Sequence, residues 1–247
     1  MDRSIRIDVV LTAEGVATDG VAGTTVLVID VLRASTTIVT ALAHGCRALI
    51  PVADPAEAWQ RARSLDGGEP LLAGERRGET IPGFDLGNSP VEVAEACLRG
   101  RTVLLTTSNG TRALLAARSA AAIGVAALIN RTAAARWVGE QGRPVVLVCA
   151  GERGGVSLED QVCAGLLVER LVTSMPTVDL SATAQAAADV ARPYAAEVWR
   201  LREDSPWARH LIRLGRRADV DVCLGLDTAT LVPVYHPGVD EIVAGRG

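Results

Sequence analysis

The sequence contains no lysine, so all 25 of its basic side chains are arginines. This absence excludes a Schiff-base lysine and the lysine of a phosphate-binding P-loop. An anion bound through side-chain charge must therefore be bound by arginine. The formal net charge is slightly acidic, -4, and the sequence has no run of basic residues. Because nucleic-acid binding needs clustered positive charge, we expect no nucleic-acid partner.

Histidine, cysteine and long apolar runs are also scarce. The three histidines, His44, His210 and His236, lack the spacing of metal ligands. The five cysteines are odd in number and widely spaced, which favours small core residues over a disulfide framework or a zinc site. No stretch approaches the roughly 20 apolar residues of a membrane helix, and no signal peptide is recognisable. We expect a cytoplasmic protein without a membrane partner.

What the sequence does have is an apolar, aromatic-poor composition. Hydrophobic residues make up 49% of the 247 residues, but aromatic residues only 3%. Most of the hydrophobic residues are alanine, valine and leucine, which is typical of buried strands that alternate with helices. The composition therefore predicts a layered α/β/α domain over residues 1–247, with a mainly parallel or mixed sheet. Because similar units recur along the chain, two similar lobes are also compatible with it.

The recurring unit is an apolar strand, a polar loop and a helix. Its three clearest copies have predicted strands at 25–30, 102–107 and 145–150. Ligands of open α/β sheets bind beyond the carboxyl ends of the strands. We therefore expect the site where three loops follow these strands, at 30–37, 106–112 and 150–160.

The second loop has the most groups that can donate hydrogen bonds to an anion. Glycine would let the backbone approach a ligand closely, and arginine could bind phosphate through two hydrogen bonds. The alternative is an ordinary turn and helix cap. A cap needs only one such residue, so the run favours substrate binding by Thr107, Ser108, Asn109, Gly110, Thr111 and Arg112.

The first loop combines a carboxylate with anion-binding groups. Asp30 ends a strand and is either a metal ligand, a nucleophile or only a helix cap. Arg33 follows as a candidate catalytic residue, and Ser35 and Thr36 as substrate-binding residues.

The third loop supplies acidic residues. Glu159 and Asp160 could bind a metal beside Arg153, although Ser157 followed by Asp160 is also a capping pattern. Glu75 and Arg76 add another carboxylate and guanidinium after a short strand. The two interpretations of the third loop remain open at this point.

Several of these motifs together resemble the 2-phosphosulfolactate phosphatase family. The resemblance extends over nearly the whole chain, through segments 30–37, 74–76, 83–90, 106–112, 149–151, 159–165 and 219–233. It implies Mg²⁺-dependent hydrolysis of 2-phosphosulfolactate to sulfolactate and phosphate, an early step towards coenzyme M.

A substrate with three acidic groups is consistent with the arginines already singled out. On this hypothesis Asp30, Arg33, Glu75 and Asp160 are catalytic, and Mg²⁺ is held by carboxylates from the set Asp30, Glu75, Glu159 and Asp160. The substrate-binding set adds Arg76 and Arg153 to the hydroxyl and amide loops. The alternatives are a phosphatase of another phosphorylated hydroxy acid and a phosphate-binding module without turnover. A homo-oligomer is compatible with the sequence.

Overall fold

A computed structural model describes residues 4–17, 20–65, 69–175 and 177–245 of the chain. Within these ranges, 11 strands form one mixed sheet, and the helices lie between them along the chain. The strands are β1 Ile5–Val10, β2 Thr25–Ile29, β3 Ala48–Pro51, β4 Leu71–Arg76, β5 Glu79–Thr80, β6 Thr102–Thr106, β7 Ala122–Ala126, β8 Val145–Cys149, β9 Val178–Leu180, β10 Pro233–His236 and β11 Glu241–Ala244.

Ten α-helices occur in the same ranges. They are α1 Ala34–Ala43, α2 Pro55–Ala62, α3 Pro90–Glu95, α4 Gly110–Ala116, α5 Arg131–Gln141, α6 Leu158–Ser174, α7 Ala182–Ala191, α8 Leu201–Asp204, α9 Pro206–Arg213 and α10 Arg217–Cys223. Short 3₁₀ turns lie at Ala13–Gly15, Leu128–Asn130, Arg192–Tyr194 and Val198–Arg200. No helix of the described ranges is long and apolar enough to cross a membrane.

Local sequence signals explain several helix starts. Asp54 accepts a hydrogen bond from the backbone N-H of Glu57 at 2.9 Å, and proline follows as the first residue of α2. The same arrangement starts α3, where Ser89 accepts from the N-H of Glu92 at 3.1 Å. These caps satisfy backbone donors that the helix itself leaves without partners.

The sheet has the order β5-β4-β6-β3-β11-β10-β7-β2-β8-β1-β9. It contains two parallel groups, β7-β2-β8-β1-β9 and β3-β6-β4. The antiparallel hairpin of β10 and β11 lies between them and pairs with β7 on one side and β3 on the other. The layered α/β fold with a mixed sheet is thereby confirmed. The expectation of one domain or two lobes stays a prediction.

Both faces of the central strands are covered. Along β2, Leu27 and Ile29 belong to a core shared with α5, α6 and α7, whereas Val26 and Val28 belong to a second core that includes α1 and α4. This alternation is the two-residue period of a strand between two helix layers. Four cysteines are buried as expected, but Cys97 is exposed, because it follows the short helix α3 at the protein surface.

The two parallel groups run in opposite directions, because an odd number of antiparallel pairings separates them. Even so, the loops after β2 and β6 meet. A Cβ atom built on Gly110 would lie 2.6 Å from the Cβ of Ala34, so the first turns of α4 and α1 are in contact. The candidate site lies at this convergence.

Candidate active site

A cavity of about 460 Å³ opens where the loops after β2, β4, β6 and β8 come together. Its wall combines acidic, basic and neutral polar side chains with one aromatic ring. The lining residues are Asp30, Glu75 and Glu152; Arg33, Arg77 and Arg153; Asn88, Ser108 and Asn109; and Leu32 and Trp207. Opposite charges on one wall suit an anionic ligand together with a cation or a proton.

Asp30 follows the last residue of β2 and is buried at the base of the cavity. Its Oδ1 accepts a hydrogen bond from the N-H of Ala34 at 3.2 Å, while its own N-H donates to Ser35 Oγ at 2.9 Å. No donor from the described part of the chain bonds to Oδ2. A Cβ atom on Gly110 would lie 2.7 Å from Oδ2, so glycine leaves the space beside this oxygen open.

The carboxylates around the cavity repel one another. Burial raises the pKa of Asp30 to about 7, and negative charges nearby act in the same direction. Those charges belong to Glu75, Glu159 and Glu152. Burial likewise raises the pKa of Glu152 to about 7, although Arg153 opposes the change. The site therefore holds carboxyl groups that can gain or lose a proton near neutral pH.

Glu75, on β4, joins two loops through its carboxylate. Oε1 accepts from the N-H of Ser108 at 2.8 Å, and Oε2 accepts from the N-H of Gly78 at 2.8 Å. The first bond ties the loop after β6 to β4. Because the N-H of Ser108 already donates to Glu75, this N-H is not available to bind an anion in this arrangement.

Arg33 is the buried arginine of the cavity wall. Its Nη1 donates to Asp219 Oδ2 at 2.6 Å, and Nη2 donates to the carbonyl of Gly78 at 2.9 Å. The paired carboxylate supplies the countercharge that a buried guanidinium requires. Arg33 therefore lies at the cavity in one fixed orientation.

Arg77 and Arg153 are the exposed arginines of the wall. Both have a left-handed backbone, with φ of 58° and 50°. Residues other than glycine adopt this conformation infrequently, and such strain is concentrated at functional sites. Arg153 also lies 5.9 Å from the ring centroid of Trp207 and 3.3 Å from Glu152. These two side chains can turn towards a ligand.

Two hydroxyls predicted to bind substrate serve the first loop itself. Ser35 Oγ accepts from the N-H of Asp30 and donates to the carbonyl of Val28 at 3.3 Å. Thr36 Oγ1 donates to the carbonyl of Val31 at 2.9 Å. Both residues are buried and neither lines the cavity. The structure thus gives them the role of shaping the turn that carries Asp30 and Arg33.

The second loop is only partly an anion site. Thr107 and Thr111 exchange hydrogen bonds, since each hydroxyl accepts from the other's N-H at 3.1 to 3.2 Å. Of this loop's candidates, Ser108 and Asn109 reach the cavity wall. Arg112 does not line the cavity, and its exposed side chain pairs with Glu14 at 2.9 Å.

Arg76 is also placed away from the wall. Its guanidinium donates to the carbonyl of Glu75 at 2.7 Å and to Thr106 Oγ1 at 3.0 Å. Its neighbour Arg77 lines the cavity in its place. Arg76 is the last residue of β4 and alternates with the cavity-lining Glu75, whereas Arg77 follows in a turn with a left-handed backbone.

Asp160 and Glu159 lie behind the wall, in the first turn of α6. Asp160 accepts from the N-H of Val31 at 2.8 Å and from the N-H of Gly151 at 3.3 Å. Burial, together with the charge of Asp30, raises its pKa well above the ordinary value. Burial also raises the pKa of Glu159, while bonds with Ser205 and Ser157 oppose the change. Asp160 thus holds two loops together.

Five lining residues were not selected from the sequence as site residues: Leu32, Arg77, Asn88, Glu152 and Trp207. Asn88 is buried, and its Oδ1 has no hydrogen-bond partner in the described structure. A buried amide oxygen without a hydrogen-bond partner destabilises the folded protein, so this oxygen is suited to accept a hydrogen bond from a bound molecule. The sequence signal for Asn88 was its position in segment 83–90, one of the motifs that resemble the family. Trp207 lies on α9, far along the chain, and no local pattern indicated it.

The predicted metal ligands do not form one compact group. Among the residues that the structure describes, no three or more histidine, cysteine, aspartate or glutamate side chains are placed to hold an ion together. Mg²⁺ commonly binds through one or two carboxylates plus water and substrate oxygens. The open Oδ2 of Asp30 fits that smaller requirement, and Glu75 lines the same cavity, with each of its oxygens already accepting one backbone hydrogen bond. Asp160 is likewise engaged with backbone N-H groups, but it does not line the cavity.

The fold and the cavity together define a class of protein: an α/β protein whose site presents carboxylates and arginines together to a small anionic ligand. The comparisons with known proteins identify the family. A sequence model of the 2-phosphosulpholactate phosphatase family matches residues 10–238. The chain belongs to this family of phosphoric monoester hydrolases.

Relatives support the assignment along most of their length. The chain is 40% identical over 217 residues to a probable 2-phosphosulfolactate phosphatase of Symbiobacterium thermophilum, covering 88% of this chain and 93% of that protein. It is 41% identical over 221 residues to one of Deinococcus radiodurans, covering 89% and 90%. A third, from Clostridium acetobutylicum, is 33% identical over 241 residues, covering 95% and 99%.

Proposed function

We propose that this chain hydrolyses 2-phosphosulfolactate to sulfolactate and phosphate with the help of Mg²⁺. The observation that carries the proposal is one cavity that combines Asp30 and Glu75 with Arg33, Arg77 and Arg153. The substrate has a phosphate, a sulfonate and a carboxylate, so it needs several cationic groups in one place. The relatives, each a probable 2-phosphosulfolactate phosphatase, support this substrate.

The position of each cavity residue indicates its role in the proposed reaction. Arg33 is fixed by its ion pair and is suited to hold the phosphoryl oxygens in one orientation. Arg77 and Arg153 lie at the exposed side and are suited to the other acidic groups. Ser108 and Asn109 add neutral donors. In the reaction, a water oxygen forms a bond to phosphorus as the ester P-O bond breaks, and the leaving oxygen gains a proton.

Asp30 and Glu75 would hold Mg²⁺. When bound, the ion would neutralise phosphoryl charge and orient the phosphate for attack. In this proposal Asp30 acts through its open Oδ2 as a ligand and does not attack phosphorus. The pKa of Asp30 is raised mainly by burial and further by the negative charges nearby, and a bound cation would offset both effects on the ionised carboxylate.

The primary test is phosphate release from a panel of phosphorylated hydroxy acids, with and without Mg²⁺. We expect metal-dependent turnover with 2-phosphosulfolactate as the best substrate. Preference for another phosphorylated hydroxy acid would replace the substrate but keep the reaction. Phosphate binding without turnover on any ester would contradict the proposal and indicate a binding module.

Variants test the assignment of the metal. We expect Asp30→Asn and Glu75→Gln to weaken Mg²⁺ binding measured by calorimetry, and Asp30→Asn to abolish turnover while the protein stays folded by circular dichroism. Glu95→Gln, which neutralises an exposed carboxylate at the end of α3, is the matched control. Unchanged Mg²⁺ affinity in both cavity variants would contradict the assignment.

The stereochemical course at phosphorus separates the two roles of Asp30. With a substrate made chiral at phosphorus by oxygen isotopes, one direct attack by water inverts the configuration, and we expect inversion. Retention, or a trapped aspartyl-phosphate, would show that Asp30 attacks phosphorus and would overturn its role as a ligand only.

A further inference from the structure

A buried chain of three side chains connects the C-terminal helices to the cavity. Asp219 lies on α10, and its Oδ2 accepts from Arg33 Nη1 at 2.6 Å. Its Oδ1 accepts from Ser89 Oγ at 2.5 Å. Both oxygens of Asp219 are therefore held, by residues 186 and 130 positions away in the sequence.

Arg33 depends on this carboxylate for its orientation. The side chains of Arg33 and Asp219 are each 3% exposed, so water does not compete for the pair. Arg33 has one other fixed contact, from Nη2 to the carbonyl of Gly78 at 2.9 Å. A guanidinium carries five N-H donors in a rigid plane, so two fixed bonds leave donors for a ligand in the cavity.

The other arginines of the wall have no comparable support. The side chain of Arg153 is 69% exposed, and its Glu152 partner lies 3.3 Å away on the adjacent residue. Bidentate recognition of phosphate requires the guanidinium plane to be held in position. Among the three cavity arginines, Arg33 is the one with a buried ion pair that fixes this plane.

We infer that Asp219 is a positioning residue: through its buried ion pair it orients the guanidinium of Arg33 for phosphate binding in the cavity. Ser89 extends the support, because its hydroxyl donates to Asp219 while it also accepts from the N-H of Glu92. Ser89 and α10 thus contribute to the site without lining the cavity. This inference rests on the proposed function, since it takes phosphate as the ligand of Arg33.

The test measures binding of inorganic phosphate by calorimetry, which does not require turnover. Asp219→Asn keeps the shape of the side chain but removes the countercharge. We expect its phosphate Kd to be at least about tenfold weaker than that of the wild type. Asp221→Asn is the matched control, because Asp221 lies on the same helix but is exposed and pairs with Arg202 and Arg217. We expect the control to bind phosphate as the wild type does.

A double-mutant cycle distinguishes positioning from a general structural effect. If Asp219 acts through Arg33, adding Asp219→Asn to Arg33→Gln should not weaken phosphate binding further. An equal loss in both backgrounds, or wild-type affinity in Asp219→Asn, would overturn the inference. If Asp219→Asn is unfolded at the assay temperature, Asp219→Glu replaces it, with the same expected dependence on Arg33.

The outcome is independent of the phosphatase assay. A wild-type protein that binds phosphate but hydrolyses no ester would contradict the proposed function, and the cycle on phosphate binding would still support the role of Asp219. A wild-type protein that shows no phosphate binding would overturn that role.

Discussion

Asp160 holds the backbone of Val31 through a hydrogen bond of 2.8 Å between residues 129 positions apart in the sequence. The same carboxyl group also accepts from the N-H of Gly151. The loop that carries Asp30 and the loop that carries Glu152 are therefore fixed to each other from behind the cavity. Asp160, which the sequence suggested as a catalytic residue, holds these two loops together in the structure.

The first prediction concerns this link. Asp160→Asn has only one amide oxygen to accept hydrogen bonds, so one of the two buried N-H groups should lose its partner. We expect a loss of about 1–3 kcal/mol in the free energy of unfolding, measured by urea titration, together with reduced turnover. Asp179→Asn, which removes an exposed ion pair with Arg6, should change stability by less than about 1 kcal/mol. Equal stability of the two variants would contradict the prediction.

The second prediction concerns the space beside Asp30. In Gly110→Ala the new Cβ would lie 2.7 Å from Asp30 Oδ2 and 2.6 Å from the Cβ of Ala34. We expect destabilisation by about 1–3 kcal/mol and a loss of Mg²⁺ affinity measured by calorimetry. Gly139→Ala is the control, because nothing lies within 4 Å of its added Cβ in α5. That control should be neutral or stabilising by up to about 1 kcal/mol.

The third prediction separates two arginines. Asparagine tolerates a left-handed backbone, so Arg77→Asn removes the charge with little conformational cost. We expect its KM for 2-phosphosulfolactate to rise about tenfold or more, with thermal stability unchanged. Arg112→Asn should leave KM unchanged, because Arg112 pairs with Glu14 outside the cavity. A larger effect at Arg112 than at Arg77 would favour the original sequence prediction.

The fourth prediction concerns pH. The pKa of Asp30 rises from its ordinary 3.8 to about 7 in the folded protein, so between these values the native state binds more protons than the unfolded chain. Its contribution to stability is thus complete below the lower value and is lost as the pH rises through about 7. We expect the thermal midpoint of the metal-free protein to fall between about pH 5 and pH 8 for this reason.

Variants identify the source of that fall. Asp30→Asn should reduce the decrease of the thermal midpoint, and so should Glu152→Gln, whose carboxyl also has a pKa raised to about 7. Added Mg²⁺ should raise the midpoint most at the higher pH, since it binds the ionised carboxylates. The same pH dependence in the wild type and both variants would exclude these two groups as its origin.

The sequence determined the local elements well. The apolar runs form strands that end at Ile29 and Cys149, one residue before the predicted ends, and helices begin after the capping residues Asp54 and Ser89. These signals act over a few residues, so they can be recognised without knowledge of the fold. The family motifs at 30–37, 74–76, 83–90 and 106–112 each contribute residues to the cavity wall.

The sequence alone could not decide which side of each loop faces the ligand. Arg76 and Arg77 are adjacent and equally charged, yet the cavity is lined by Arg77. Thr107 and Thr111 look like anion donors, yet they bond to each other. Such choices depend on competition among partners that are brought together only by folding.

The sequence by itself determined an arginine-only, aromatic-poor α/β chain whose polar loops follow apolar strands. The tertiary structure decided which of those polar groups meet. The antiparallel hairpin β10-β11 joins two oppositely running parallel groups, and their convergence brings Asp30 beside Gly110. It also brings Asp219 and Trp207 from the last quarter of the chain to Arg33 and Leu32. These contacts join residues from 80 to 186 positions apart, and no local propensity encodes such pairings.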